Sequence, residues 1–185
     1  MSNKFITTLF LIVNFWFNLQ ADNKQLIIDR LIEIDNIKFD FEQTINEKKE
    51  TGKCILVFDN KLNCNYQDSM HKEILINGKR LVIKHKRYDK IYFYPVANSP
   101  FMNILNKKSL ISLIRKSSYK LKNNIELTYV DENNNKIKVF FDNNNYYLIG
   151  WNVRDQLQNE INFSLKITFI NSKFDPKLFR IPRLY

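Results

Sequence analysis

The stretch INFSLKITF, residues 161–169, decides the fold class, because apolar and polar residues alternate through all nine positions. Alternation with a period of two places the apolar side chains on one face of a β-strand and the polar ones on the other. Two more segments alternate in the same way, and their apolar positions are Ile37, Phe39 and Phe41, and Ile137, Val139 and Phe141. The pattern predicts an antiparallel sheet with one apolar and one hydrated face.

Turn signals divide the rest of the chain into further short strands. The pair Asn77-Gly78 lies between two apolar runs and is the strongest hairpin signal in the sequence. A charged turn is expected at residues 47–50, and residues 174–182 are interpreted as a tail that adds an edge strand. The other expected strands cover residues 53–58, 62–67, 91–94, 125–130 and 146–153.

Two segments favour helix, and they are the candidates to cover the apolar face. Leu26, Ile27, Leu31 and Ile34 recur at helical spacing, which predicts an amphipathic helix over residues 24–34. Ser99-Pro100 is typical of a helix start, and residues 110–114 extend or repeat this short helical insertion. The fold class is therefore α+β, mainly antiparallel β, with a strongly curved sheet. Either these few helices cover its apolar side or a lipid does.

The N-terminus has the organisation of a secretion signal. Lys4 supplies the positive charge, residues 5–17 a mostly apolar run, and Ala21 a suitable last residue before cleavage. We therefore expect a signal peptide over residues 1–21 and a single domain over residues 22–185. An uncleaved membrane anchor is the alternative interpretation of the same segment.

The net charge of +10 invites a nucleic-acid or anionic-membrane interpretation. Lys4 contributes one of these charges, so the mature chain carries +9. The lysines are scattered, however, and the aromatic residues share the apolar face with Ile and Leu rather than alternating with basic residues. Nucleic acid is therefore not an expected partner, although a secreted protein that binds polyanions stays an alternative from another functional class.

An enzyme would need reactive groups that converge, and the sequence offers none in a recognisable pattern. His71 and His85 have no spacing typical of metal ligands, and no nucleophile elbow or phosphate loop is present. The sequence therefore favours a protein without enzymatic activity, metal site or cofactor.

Cys54 and Cys64 lie on either side of a predicted turn at residues 59–61 and could be bonded in an oxidising compartment. The expected strand register places them on the same face but on a diagonal, which is too far for good disulfide geometry. The bond is left open.

The mature chain resembles the outer-membrane lipoprotein carrier proteins, the LolA family, over its whole length. The resemblance rests on the order and spacing of several short pieces. They are IKFDFEQ at residues 37–43, Gly52 followed by the aromatic Tyr66, NGK at residues 77–79, SPFMNIL at residues 99–105, and the closing segments at residues 148–166 and 173–182.

This resemblance implies an unclosed β-barrel with a short helical lid over an apolar cavity that takes the acyl chains of lipoproteins. It implies a periplasmic monomer whose partners are acylated lipoproteins, an inner-membrane lipoprotein exporter, and an outer-membrane acceptor or outer-membrane lipid. The positions expected to form the cavity and lid are Leu31, Phe39, Phe41, Leu56, Phe58, Tyr66, Phe101, Met102, Ile104, Leu105, Val139, Phe141, Trp151, Phe163 and Leu165.

One departure from the family concerns the latch of the lid. The family often has a basic residue before a proline in the turn that leads to the Tyr66 strand, and in its best-known form an Arg there ties the closed lid. Asn60 and Lys61 occupy those places here. Asn60 is the candidate latch, with fewer donors and no charge. A sensing domain of the same fold, which regulates a partner, is the second functional alternative.

Overall fold

The computed structural model describes residues 23–58, 60–95, 102–131, 134–154 and 159–182. The expected signal peptide and the helix-start residues Ser99, Pro100 and Phe101 lie outside these ranges. All described strands belong to one antiparallel sheet. They are β1 (Asn36–Ile45), β2 (Lys48–Val57), β3 (Lys61–Tyr66), β4 (Lys72–Asn77), β5 (Arg80–His85), β6 (Lys90–Pro95), β7 (Ser118–Leu121), β8 (Ile125–Val130), β9 (Lys136–Phe141), β10 (Leu148–Arg154) and β11 (Glu160–Ile170).

The sheet consists of two meanders that meet at its centre. Strands β1 to β6 follow one another across one half, and β7 to β11 follow one another across the other half. The first strand, β1, pairs with the last, β11, over residues 37–45 and 161–170. Strands β6 and β7 form the two edges and do not pair with each other, so the predicted unclosed, mainly antiparallel architecture is confirmed.

Within the described ranges, three helices cover the concave, apolar face. They are α1 (residues 23–32), α2 (Met102–Leu105) and α3 (Lys107–Lys116). Helix α3 begins where the Asn106 side chain accepts a hydrogen bond from the Ser109 N–H (3.0 Å), and it buries Leu110, Leu113 and Ile114 on one side. The helical insertion is therefore longer than the short segment that the sequence predicted, and strand β7 follows it without having been predicted.

The turns are tighter than their composition indicated. Only Asn46 and Glu47 connect β1 to β2, both with positive φ (46° and 68°), so the expected turn at residues 47–50 was wrong and Lys48 already lies in a strand. The predicted hairpin at Asn77-Gly78 is confirmed. Asn77 is its last strand residue, and Gly78 opens the two-residue loop with φ 61°.

An irregularity in β11 reverses the alternation that the sequence pattern shows. Phe39 pairs with Ile167, but Lys38 pairs with Phe169, so Thr168 is an extra residue in the ladder. After this bulge, odd-numbered residues of β11 lie on the convex face instead of the concave face. Phe169 is 62% exposed on the convex face, where the ammonium group of Lys38 lies 5.9 Å from its ring centroid. The expectation that Phe169 shares the apolar face of Phe163 was wrong.

A disulfide joins Cys54 to Cys64. The expected diagonal placement was wrong, because the register of β2 and β3 sets the two residues directly opposite each other with 4.1 Å between their Cα atoms. Both side chains are buried in the concave core. The last pair of this ladder is Val57 with Lys61, so the turn covers residues 58–60 instead of the predicted 59–61. This earlier turn shifts the pairing of β2 with β3 by two residues relative to the predicted register.

The C-terminal tail adds no edge strand within the described residues, so that interpretation was also wrong. Its Pro176–Phe179 segment forms a 3-10 turn, started by the Asp175 side chain, and lies against the convex face. Phe179 is buried there in a second apolar cluster with Ile55, Leu75 and Val82. The convex face is therefore hydrated only in part, because residues of β2, β4 and β5 are apolar on both sides.

Candidate functional site

The concave face and the helices enclose one continuous apolar interior. Every described position that the sequence assigned to cavity and lid belongs to it: Met102 is half-buried at its margin, and the other thirteen are at most 8% exposed. Phe101 was assigned with them but lies outside the described residues. The sheet contributes Phe39, Phe41, Leu56, Tyr66, Val139, Phe141, Trp151, Phe163 and Leu165, the β2–β3 turn contributes Phe58, and the helices contribute Leu31, Met102, Ile104 and Leu105.

Aromatic rings form a row across the floor of this interior. Trp151 stacks on Phe163 with 4.2 Å between ring centroids, and Phe163 stacks on Phe41 at 4.9 Å. The edge of Tyr66 meets Phe41 at 4.8 Å. The row passes over Gly52, where a Cβ atom would collide with the Phe41 ring and the backbone of β3. The sequence showed each aromatic residue but not the row, since the row depends on the register of four strand pairs.

Helix side chains fill the interior. The buried positions that face the floor come from all three helices and are Ile27, Leu31, Ile104, Leu105, Leu110 and Ile114. The four cavities described in this structure, of about 340 to 640 Å³, lie on the convex face or beside the sheet edges rather than between helices and sheet. In the described part of the chain, the buried side chains of the helices therefore occupy apolar space above the floor.

Polar contacts at both ends fix helix α1. At its beginning, the Lys24 ammonium group donates to the Ser117 carbonyl oxygen (2.6 Å), beside the C-terminus of α3, where a positive charge is favourable. Burial lowers the pKa of Lys24. At its end, the Asn171 side chain accepts from the Asp35 N–H (2.7 Å) and donates to the Glu33 carbonyl oxygen (2.7 Å). The Asn171 contacts hold the end of α1 beside the end of β11, whereas the Lys24 contact joins the beginning of α1 to the end of α3.

Helix α2 has a simpler attachment to the sheet. The backbone N–H of Asn60, in the β2–β3 turn, donates to the Leu105 carbonyl oxygen (3.3 Å). Asn60 has φ 59°, and its own carbonyl oxygen accepts from the Gly78 N–H (2.9 Å). The residue predicted as the latch does contact the lid, but through its backbone rather than through the side-chain amide on which the prediction relied. A backbone donor is available to any residue at this position except proline.

Charged side chains lie at one end of the aromatic row. Lys72 is 3.8 Å from the Tyr66 ring centroid and 2.7 Å from a carboxylate oxygen of Glu50, which also pairs with Lys48 (3.1 Å). Burial alone would raise the pKa of Glu50, but hydrogen bonds and charge from Lys72 and Lys48 outweigh it and hold the pKa below its usual value of 4.5. Burial likewise raises the pKa of the Tyr66 hydroxyl.

We predict that Glu50 makes the domain sensitive to acid. Because its pKa is lower in the folded chain than in the unfolded chain, its ionised form stabilises the fold above about pH 4.5, and this contribution is lost as the pH falls through the lowered pKa. In urea unfolding, Glu50→Gln should be less stable than wild type at neutral pH, and this difference in stability should be smaller at about pH 3. Glu33→Gln, at an exposed position directly after α1, is the control. A difference for Glu50→Gln that is the same at both pH values would contradict the prediction.

The described part of the chain lacks two features that are typical of other functional classes. No three His, Cys, Asp or Glu side chains in the described ranges are grouped as metal ligands would be. None of the described helices has both the length and the apolar character needed to cross a membrane.

Comparison with known proteins agrees with this architecture. The sequence profile of the family described as "Outer membrane lipoprotein carrier protein LolA" matches residues 33–182. Among solved structures, an uncharacterized conserved protein from Thermus thermophilus is 8% identical and superimposes with a TM-score of 0.52 over 86% of this chain and 94% of its own. The lipoprotein LppX of Mycobacterium tuberculosis is 10% identical, with a TM-score of 0.51 over 85% and 98%.

At these identities the structural likeness shows the fold alone, and no curated protein matches the chain in sequence. The family profile, by contrast, spans most of the chain, from the end of α1 to the C-terminal tail. It includes every described strand of the sheet and the lid helices α2 and α3. The chain therefore belongs to the LolA family of outer membrane lipoprotein carrier proteins.

Proposed function

We propose that this protein is a periplasmic carrier that buries the acyl chains of lipoproteins and ferries them from an inner-membrane exporter to the outer membrane. Its signal peptide, over residues 1–21, would direct it to that compartment, and residues 22–185 would form the carrier domain. Membership of the LolA family supports the proposal. Outer-membrane lipid or a separate acceptor protein would receive the cargo.

The observation that carries the proposal is the way the interior is filled. The sheet is complete without the helices, since its ladders join strands only to strands. The helices supply aliphatic side chains such as Leu105 and Ile104, which are chemically similar to acyl chains and are fully buried. An acyl chain that displaced them would meet the same apolar floor. The helices can therefore be displaced from the concave face while the strands of the sheet stay hydrogen-bonded to one another.

The energetics require such an exchange. A lipoprotein carries about three acyl chains, and each methylene group gains roughly 0.8 kcal/mol on burial, so the chains cannot cross water uncovered. If loading replaced solvent in an empty cavity, release would be prohibitively slow. When loading instead replaces contacts of the helices, the net affinity is a difference between two buried states and stays moderate.

Mass spectrometry of the protein purified from its own periplasm tests the proposal directly. We expect a triacylated lipoprotein to purify with the wild-type chain in a one-to-one complex. Purification with anionic polymer instead, with steep salt dependence, would contradict the carrier function and support the polyanion alternative.

The carrier hypothesis also predicts different effects for truncations in the lid and in the floor. Leu105→Ala removes contacts made only in the closed, empty state, so a synthetic triacylated peptide should bind more tightly by roughly tenfold. Val139→Ala removes floor contacts that the helices use in the empty state and the ligand would use in the loaded state, so the two losses offset each other and the affinity for the same peptide should change little. Both side chains are fully buried, which makes the two variants a matched pair. Fluorescence titration of a labelled peptide measures both.

Equal weakening in the two variants would contradict the exchange mechanism. Circular dichroism of each variant must first show a folded protein, because an aliphatic truncation in the core costs about 2–5 kcal/mol.

A further inference from the structure

The free edge of β6 differs from the other edge of the sheet. Strand β6 has six residues, and its centre, Ile91 to Tyr94, is an uncharged run of apolar and aromatic side chains. Ile91, Tyr92 and Tyr94 are each more than 40% exposed. Strand β7 is shorter, with four residues, and carries Lys120 near its end. Short edge strands, and edge positions with Lys or Pro, discourage pairing with another chain. Strand β6 carries Lys90 and Pro95 only at its two ends, so its four central residues lack this protection.

The backbone of β6 offers hydrogen-bonding groups on its outer side. Strand β5 pairs with it over residues 80–85, and no other described strand lies beyond it. Because each strand residue directs its N–H and C=O to one side, alternate residues of β6 present both groups away from β5. An extended peptide could add a twelfth strand there.

A groove beside this edge would receive side chains of such a peptide. It lies on the convex face, measures about 640 Å³, and has apolar walls formed by Phe93, Pro95, Ile181 and Pro182. Lys79 and Arg80 line its rim. Phe93 is on the same face as Val82, whereas Tyr92 pairs with Ile83 on the opposite face. Alternate side chains of an added strand would thus enter the groove or lie beside the tyrosines.

The positive charge around the β6 edge indicates which kind of chain could bind there. Residues 79–95 contain six basic residues and one acidic residue, a net charge of +5. Glu73, the neighbouring acid on β4, pairs with Lys84 and Lys86 and lowers the net charge of this corner to +4. Two such edges would repel each other, which disfavours a second copy of this chain. An acidic peptide would be attracted.

We propose that the β6 edge and its groove dock an extended acidic segment of a partner protein by β-strand addition. The site lies outside the apolar interior, so it does not depend on what the interior carries. A partner protein with an acidic, strand-forming segment would bind here while α2 and α3 stay in place or move.

The experiment uses a fluorescein-labelled decapeptide of alternating Val and Glu and the full domain. We expect binding that weakens with salt, and amide hydrogen exchange that slows at residues 90–94 but not at residues 118–121. The charge reversals Arg80→Glu and Lys90→Glu together should weaken binding roughly tenfold or more. Lys120→Glu, a reversal on the β7 edge, should leave it unchanged.

Two further probes separate strand addition from simple attraction. The same peptide with N-methyl groups at alternate residues keeps its charge but cannot form a ladder, so its binding should be lost; equal binding would overturn the proposal. Vesicles containing phosphatidylglycerol test a membrane surface. Sedimentation with these vesicles, without binding of the Val–Glu peptide, would overturn the proposal in favour of a lipid partner. Dimerisation through β6 in the absence of peptide would overturn it as well.

Discussion

Phe163→Asp should leave the domain unfolded or barely folded at neutral pH. Phe163 contacts Trp151, Phe41 and Phe39 at the centre of the interior, and 7% of its surface is exposed. Removing a buried aromatic side chain costs about 3–5 kcal/mol. Burying an unpaired carboxylate in its place adds several kcal/mol. The sum approaches the total stability of a typical domain, about 5–15 kcal/mol. Urea unfolding followed by tryptophan fluorescence measures the loss.

The matched control is Phe169→Asp, on the same strand. Phe169 lies six residues further on, an even spacing that would put it beside Phe163 in an uninterrupted strand. The bulge at Thr168 turns it to the convex face, so we expect a change in stability within about 0.5 kcal/mol. If Phe169→Asp destabilised the domain as strongly as Phe163→Asp, the bulge would be wrong and the alternation in the sequence would hold throughout β11.

Removing the disulfide with Cys54→Ala and Cys64→Ala should cost about 3 kcal/mol. The bond joins residues ten positions apart, and the chain-entropy relation gives about this value for a closed loop of that length. Both residues are also buried, so the loss of the two sulfur atoms adds to the effect. For a domain of this size, a loss of about 3 kcal/mol lowers the melting temperature by roughly 6–12 °C.

Thermal unfolding with and without dithiothreitol measures this contribution. The reductant should lower the melting temperature of the wild-type protein towards that of the double variant and should leave the variant unchanged. A wild-type protein that melts at the same temperature in both conditions would contradict the prediction.

Features that depend on neighbouring residues were predictable from the sequence. The Asn77-Gly78 hairpin follows from the conformational freedom of one dipeptide, and strands such as β9 follow from alternation within six residues. The interior was predictable for the same reason. Once the alternation identifies Val139 and Phe141 as the apolar side of β9, their burial follows, whichever element packs against that side of the sheet.

Features that depend on register were not predictable. The extra residue at Thr168 has no local signature, and it moved Phe169 to the other face. The pairing of Cys54 with Cys64 depends on the residue at which one turn begins. The tail was misinterpreted because its aromatic residues resemble those of a strand, yet they contact an apolar patch of β2, β4 and β5 that only the folded sheet assembles.

The candidate site shows the same division. The described positions that the sequence assigned to cavity and lid lie in the interior, but the interior also buries residues that were not assigned to it, such as Leu62, Ile76 and Ile125. The order of the aromatic row was not predicted, since Trp151 and Tyr66 are separated in the sheet by three other strands. Asn60, the candidate latch, contacts helix α2, but the group that makes this contact is the backbone N–H. Every residue except proline has a backbone N–H, so the identity of the side chain at position 60 does not indicate that this group bonds the lid.

The pairing of the first strand with the last has a consequence for how the chain acquires its structure. Ile37 pairs with a strand residue 133 positions later, Ile170, so the central ladder closes the longest loop among the described strand pairs. Closing long loops is entropically costly and slows folding. As the chain is made from its N-terminus, the first meander, β1 to β6, could assemble on its own, but β11 at residues 160–170 has to be made before the second meander is complete and can pair with it. Until then the apolar face of the first meander would lack its partner strand, and chaperone protection would matter most at that stage of biogenesis.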